Sequence, residues 1–265
     1  MSTITLTTLR KIKESGEKFA VLTAYDASFA GLLDEAGVEV LLVGDSLGMV
    51  VQGLETTLPV LMEEMIYHTR NVVRGHCRAL VMSDMPFMSY NTPEQALDNA
   101  ARLMKEGGAA MVKLEGGAWL ADTIRHLSQY GIPVCAHLGL LPQSVHKLGG
   151  YRVQGRELSD AERMLEDAQL LVEAGADCLL LECVPANLAK AIAETVAVPV
   201  IGIGAGPDCD AQVLVLYDML GITRGKRPKF SRDFLAGAGS VEVAVRAYVE
   251  AVKAKTFPGP EHSFT

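Results

Sequence analysis

The chain has 265 residues, of which 49% are hydrophobic and 21% charged, with a formal net charge of -8. That balance supports a large buried core and lacks the basic blocks that phosphate backbones require, so nucleic acid is not an expected partner. No run approaches the roughly 18 apolar residues of a membrane span, and residues 1–18 lack the apolar stretch of a signal peptide. Five cysteines, Cys77, Cys135, Cys178, Cys183 and Cys209, form no C-x-x-C pair and sit mostly in apolar surroundings. They read as free buried thiols in a reducing, cytoplasmic setting.

In chain order, Thr7–Lys13 reads as a short N-terminal helix closed at Gly16, followed by a strand at Phe19–Thr23. Asp26 is placed to cap a helix over Ala27–Ala36, which Gly37 ends. A second strand, Val38–Val43, runs into Asp45, and a loop over Gly48–Pro59 precedes a helix from Met62 to Arg74. A third strand, Arg78–Ser83, delivers Asp84. Thr92 then caps a helix over Glu94–Glu106, with Pro93 at its first position and Gln95 placed for a capping box.

Strand four, Ala109–Leu114, delivers Glu115, and a helix follows over Leu120–Tyr130. Strand five, Pro133–Ala136, delivers His137, and a long loop spans Leu140–Leu158. Ser159 or Asp160 is placed to cap a helix that reaches Ala174, before strand six, Asp177–Leu181, delivers Glu182. A helix over Asn187–Thr195 leads to strand seven, Val198–Ile203, and to Gly204-Ala205-Gly206. Gln212–Leu216 fits an eighth strand or a helical turn, and a last helix covers Val241–Lys255. About eight alternations of continuous apolar strands with helices predict a single (β/α)8 TIM barrel over residues 1–265, with the short helix in front. A doubly wound sheet is disfavoured, because no G-x-G-x-x-G follows the first strand.

In such a barrel the site lies at the C-terminal ends of the strands. Asp45, Asp84, Glu115, His137 and Glu182 all fall there, on neighbouring strands. Helix capping explains Asp26, but Asp84 precedes a helix already capped by Thr92, and Glu is a poor cap at Glu115. Two ionised carboxylates about 4 Å apart repel by about 4 kcal/mol at an effective dielectric of 20, so three call for a cation or a shared proton. An all-oxygen set suits a hard divalent ion, Mg²⁺ by default and Mn²⁺ as an alternative, and zinc spacing is absent. Lys113 shares strand parity with Glu115. It reads either as a structural ion pair or as an ammonium aimed at an anionic substrate. His137 is a core histidine or a site residue. Glu182 is a surface acid or, leaving an apolar strand, a desolvated general base. Gly202-Ile203-Gly204-Ala205-Gly206 is a weak phosphate signal that glycine packing explains equally well.

Val43-Gly44-Asp45-Ser46-Leu47-Gly48-Met49, Asp84-Met85-Pro86-Phe87-Met88 and Val112-Lys113-Leu114-Glu115-Gly116-Gly117 resemble signatures of the ketopantoate hydroxymethyltransferase family. His137-Leu138-Gly139-Leu140, Gly149-Gly150-Tyr151, Leu181-Glu182-Cys183-Val184-Pro185 and Ile201–Gly206 continue the resemblance, in order, along nearly the whole chain. The resemblance implies a (β/α)8 barrel that moves a one-carbon unit from 5,10-methylenetetrahydrofolate to 3-methyl-2-oxobutanoate, in pantothenate synthesis. It implies one Mg²⁺ per subunit at Asp45, Asp84 and Glu115. Asp45, Ser46, Asp84 and Lys113 would bind the oxo acid, with His137 beside them, and Glu182 would accept the proton. It further implies a homo-oligomer, a decamer of two stacked pentamers.

The chain departs from the family at three places: Asp210-Ala211-Gln212 where Asp-Gly-Gln is usual, Arg224-Gly225 where Gly-Gly follows Ile-Thr, and His146-Lys147 in the long loop. None touches the metal or base positions. Two other classes stay open, a Mg²⁺-dependent carbon–carbon lyase of the phosphoenolpyruvate mutase and isocitrate lyase type, and a catalytically silent barrel that binds ligand.

Overall fold

The computed structural model describes residues 3–75, 78–223 and 225–265, so Cys77 and Arg224 lie outside the described residues. Helix α1 (Leu6–Glu14) precedes β1 (Phe19–Thr23), α2 (Ala27–Glu35), β2 (Val40–Val43), α3 (Leu47–Val50), α4 (Met62–Gly75) and β3 (Leu80–Asp84). Then come α5 (Pro93–Arg102), β4 (Met111–Glu115), α6 (Ala121–Gln129), β5 (Val134–Gly139), α7 (Val145–Leu148), α8 (Leu158–Glu173) and β6 (Cys178–Glu182). The chain finishes with α9 (Ala186–Thr195), β7 (Val200–Ile203), β8 (Ala211–Leu214), α10 (Leu216–Met219) and α11 (Val241–Lys253). Each strand pairs in parallel with the next, and β8 closes on β1, with Phe19 opposite Ala211 and Leu22 opposite Leu214. The eighth strand, ambiguous by periodicity, is therefore a strand. Among the described residues no helix is long and apolar enough to cross a membrane.

Alternation along the strands divides the core in two. Leu41 and Val43 of β2, Val81 of β3 and Leu114 of β4 face the surrounding helices. Val40, Leu42, Leu80, Met82, Met111, Cys135, Cys178 and Leu180 fill the barrel interior. Leu9 of α1 belongs to that interior cluster, with Ile4, Leu6 and Ile12 packed against it, so the N-terminal helix plugs one end. The other end, where the strands finish, stays open. The same inward parity that places Met82, Met111, Cys135 and Leu180 in the interior brings Asp84, Lys113, Glu115, His137 and Glu182 onto its wall at the open end. Register aligns them as neighbours, with Asp84 opposite Lys113 and Glu115 opposite His137.

Local signals held where a side chain caps a helix directly. Asp26 accepts the Phe29 N–H at 2.9 Å and Thr92 the Gln95 N–H at 3.2 Å. They failed elsewhere. The Gln95 side chain accepts from Asn91, not Thr92, so no capping box forms. Helix α8 starts at Leu158 after Glu157 with no side-chain cap, rather than after Ser159 or Asp160. Leu47–Val50 is a helical turn within the expected loop, and α5 ends at Arg102 in a π-turn over Leu103–Gly107. Strand β5 extends through Gly139, so His137 sits inside a strand. Cys135, Cys178, Cys183 and Cys209 are free and buried.

Candidate active site

A cavity of about 660 Å³ opens at the C-terminal end of the barrel, lined by Asp45, Ser46, Asp84, Lys113, Glu115, His137 and Glu182 among others. All seven side chains read from the sequence therefore share one wall. Asp45, Asp84, Lys113, Glu115 and His137 are each less than 5% exposed.

Lys113 is central. Its Nζ lies 3.2 Å from Asp84 Oδ1, 3.8 Å from Glu115 Oε1 and 3.2 Å from His137 Nδ1. Burial opposes its charge, but Asp84, Glu115 and Asp45 outweigh burial and hold its pKa above the usual lysine range. A charged ammonium only donates, so His137 Nδ1 accepts from it and the imidazole proton resides on Nε2. Burial, then Lys113, keeps the imidazole neutral by lowering its pKa. Nε2 has no hydrogen-bond partner and faces Glu182 Oε2 at 3.5 Å.

The acids differ in their surroundings. Burial, then Asp84 and Glu115, drives the Asp45 carboxyl well above its usual range. Burial also raises Asp84, tempered by Lys113 and by the Asp45 N–H that its Oδ2 accepts at 3.0 Å. Glu115 runs the other way. Burial works to raise it, but His137, Lys113 and the Gln143 N–H together hold it below its usual range. Glu182, with its side chain 15% exposed, is pushed up to about 8 by burial first and by Glu115 second. Gly139 lets β5 and β6 close around these groups. Its φ is +93°, and a Cβ there would stand 2.3 Å from Glu182 O.

Gln143 and Tyr90 were missed in the sequence. Gln143, buried in the turn after β5, donates from Nε2 to Asp45 Oδ2 at 2.9 Å and to Met85 O at 3.0 Å. Its backbone N–H donates to Glu115 Oε2 at 3.0 Å, and its Oε1 accepts from Tyr90 Oη at 2.5 Å. One glutamine thus binds two of the three acids to each other. The only sequence signal was a polar residue directly after the apolar Leu138–Pro142 stretch. Ser46 is held differently, with its Oγ 3.0 Å from Tyr25 Oη.

Among the described residues no three His, Cys, Asp or Glu side chains stand close enough together to hold a metal ion by themselves. Gly202-Ile203-Gly204-Ala205-Gly206 is a packing device. Cβ atoms on Gly202, Gly204 and Gly206 would press on Cys209, on Phe230 with Phe264, and on Ala186.

A closed parallel barrel with convergent carboxylates, a buried ammonium and an acid of raised pKa in one cleft defines an enzyme of the (β/α)8 class. The model of the ketopantoate hydroxymethyltransferase family matches residues 3–260. A 3-methyl-2-oxobutanoate hydroxymethyltransferase from Nitrosococcus oceani is 64% identical over 264 residues, covering 100% of both chains. The second such enzyme of Hahella chejuensis is 61% identical, covering 98% of each. The chain belongs to the ketopantoate hydroxymethyltransferase family and is a one-carbon transferase. Solved barrels share its fold at low identity. A phosphoenolpyruvate phosphomutase from Streptomyces platensis has a TM-score of 0.61 at 14% identity, covering 82% of each chain. A 2,3-dimethylmalate lyase of the PEP mutase/isocitrate lyase superfamily has 0.59 at 18%, covering 100% of this chain and 92% of that one.

Proposed function

We propose that this enzyme transfers a hydroxymethyl group from 5,10-methylenetetrahydrofolate to 3-methyl-2-oxobutanoate, giving 2-dehydropantoate and tetrahydrofolate on the route to pantothenate. The observation that carries the reading is a buried ammonium, Lys113, set among Asp84, Glu115 and His137, with Glu182 on the same wall. That arrangement can hold an oxo acid at one end and take its C3 proton at the other. The relatives' names supply the substrate.

The residues present fit a hard divalent ion, Mg²⁺ by default. Asp45 and Asp84 are adjacent oxygen donors, and Asp84 Oδ1 is buried with the Lys113 ammonium beside it at 3.2 Å but no well-aligned hydrogen bond. Glu115 fits less directly. One of its oxygens accepts from Gln143, and the other faces Lys113 and His137, so it would reach such an ion through water. When bound, the ion supplies Lewis-acid stabilisation of charge on the oxo-acid oxygens, worth several kcal/mol.

The chain's own residues do the rest. Lys113 presents a fixed positive charge to the oxo acid, and Ser46 Oγ and His137 Nε2–H offer hydrogen bonds. The Glu182 carboxylate removes the C3 proton, and a group whose pKa is raised toward the working pH makes an effective base. One C–N bond of the donor's methylene bridge opens to an iminium, the freed nitrogen taking the proton removed from C3, and the enolate carbon then forms its bond to that methylene carbon. The second C–N bond breaks in the next step, where the leaving nitrogen takes a proton from water. Water adds the hydroxyl as tetrahydrofolate leaves. Assembly as a homo-oligomer, decameric as the resemblance implies, and a cytoplasmic location belong to the same proposal.

A turnover assay for 2-dehydropantoate tests the reading. Product should appear only when oxo acid, Mg²⁺ and methylenetetrahydrofolate are all present. Cleavage of a larger oxo acid without folate, or ligand binding with no turnover under any condition, would displace it.

A further inference from the structure

Glu182 is the most exposed of the site's acids, its side chain 15% accessible against 4% for Asp84 and 3% for Glu115. An enolate formed beside it stands within reach of water, and water that enters returns the proton before the donor's carbon is attached. The chain placed to cover it is the connection between α7 and α8. Gly149 and Gly150 have φ of +69° and +114°, and a Cβ on either would meet nothing within 4 Å, so the chain has room to pivot there. The connection is tied on both sides of the pivot. The Gly150 N–H donates to Val145 O at 3.0 Å, and the Gln154 N–H donates to Cys183 O, next to Glu182, at 2.9 Å.

Tyr151 stands between these ties, lines the cavity and is 54% exposed. Among the described residues its side chain makes one hydrogen bond, across the mouth from Oη to Met49 Sδ at 3.6 Å. A thioether sulfur is a weak acceptor, and a phenol donates better to an anionic oxygen, whose hydrogen bonds are about twice as strong as neutral ones. An oxo acid brings such an oxygen close by. Met49 and Ser46 are three residues apart in one helical turn and share its face, the Met49 N–H donating to Ser46 O at 2.9 Å. Ser46 Oγ is among the groups offered to the oxo acid, so the Tyr151 hydroxyl rests one turn from that ligand's place. Burial first, then Glu182, Asp45 and Glu115, raise the Tyr151 pKa, so the hydroxyl keeps the proton it donates.

We propose that Tyr151 is a further substrate-contacting residue: residues 149–153 close when the oxo acid binds, and the Tyr151 hydroxyl moves from the Met49 sulfur to donate to an oxygen of that ligand. The identity of the oxo acid rests on the hydroxymethyltransferase reading above. The hydroxyl contributes binding of the oxo acid, and the ring over Glu182 keeps water from the enolate until the new carbon–carbon bond has formed.

Two variants of the Mg²⁺-loaded enzyme separate the hydroxyl from the ring. Tyr151→Phe keeps the cover and loses the donor, so the KM for 3-methyl-2-oxobutanoate should rise about tenfold while the KM for methylenetetrahydrofolate stays within about twofold of the parent's. Tyr151→Ala also uncovers the base. In deuterated water its ratio of C3 exchange to 2-dehydropantoate formed should rise about fivefold or more. Closure itself is read with trypsin on the parent. Lys147 and Arg152 flank the pivot and are exposed. Oxo acid with Mg²⁺ should slow cleavage after both by about tenfold relative to sites elsewhere in the chain, read by mass spectrometry. An unchanged oxo-acid KM in Tyr151→Phe overturns the contact. An unchanged exchange ratio in Tyr151→Ala, or equal cleavage with and without the oxo acid, overturns the closure. The trypsin arm needs no variant and decides the point if a variant does not fold. A parent that is protected and exchanges C3 but forms no 2-dehydropantoate sinks the hydroxymethyltransferase reading and leaves the contact standing, with oxo-acid affinity replacing KM as its readout.

Discussion

Gln143→Leu is the sharpest probe of how the acidic wall is held. Leucine is close in volume, so the cavity term is small and the change is mainly polar. The substitution removes the hydrogen bonds to Asp45 Oδ2 and Met85 O, and the acceptor of Tyr90 Oη. Tyr90 keeps a fallback in Glu115 O at 3.3 Å, and Glu115 keeps the backbone N–H of residue 143. Two acceptors are then stranded. A buried carboxylate oxygen left unpaired costs about 2 kcal/mol and a carbonyl about 1, some 3 kcal/mol in all. For a chain of this size that corresponds to a melting temperature roughly 6–12 °C lower. Asp45 also loses a bond that holds its carboxyl down, so its pKa climbs further. Residues that orient ligating groups are typically worth about 10–100-fold in metal affinity, and calorimetric Mg²⁺ titration should show a loss of that order. A variant that melts within a degree of the parent and binds Mg²⁺ equally well would refute the view that Gln143 organises these acids.

Other outcomes follow from the same geometry. Lys113→Met strips from Asp84 and Glu115 the ammonium they share and should cost about 3–5 kcal/mol, with Mg²⁺ raising the variant's melting temperature more than the parent's. No difference in the Mg²⁺ response would mean that the acids do not share a cation. The pH dependence centres on Glu182. Its folded pKa of about 8 lies above the ordinary carboxylate value of 4.5, so the folded state retains a proton that the unfolded chain releases. That stability is present at low pH and lost as pH rises from about 4.5 through 8. The stability of Glu182→Gln relative to the parent should therefore improve between pH 5 and pH 9, read by thermal melts. With Glu182 in its proposed role as base, catalysis should run in the opposite sense, because the carboxylate would be the active form. C3 exchange by the metal-free enzyme should rise with pH toward a midpoint near 8, and a flat profile would argue against Glu182.

Much of this site could be read from strand ends. Asp84, Glu115 and Glu182 each close an apolar strand, and period-two parity alone puts Lys113 and Glu115 on one face, as the structure has them. Parity also explains why the barrel interior changes from Met82, Met111 and Cys135 to charged groups within one step toward the open end. Gln143 and Tyr90 were not legible, because each reaches the acids from a turn whose position tertiary packing sets. The expected cap at Ser159 or Asp160 failed for a related reason: α8 begins two or three residues earlier than the capping residues suggest. The glycines after β7 were ambiguous until Phe230, Phe264 and Ala186 were seen to occupy the space their missing side chains leave.

The account depends on Glu182 as the group that takes the C3 proton, and deuterium exchange into 3-methyl-2-oxobutanoate, followed by NMR with Mg²⁺ and no folate, tests that directly. The parent should exchange the C3 proton, and Glu182→Gln should bind the oxo acid with similar affinity while exchange falls by about 10²–10⁴-fold. Exchange at the parental rate in the variant would contradict the assignment and move the base to another residue.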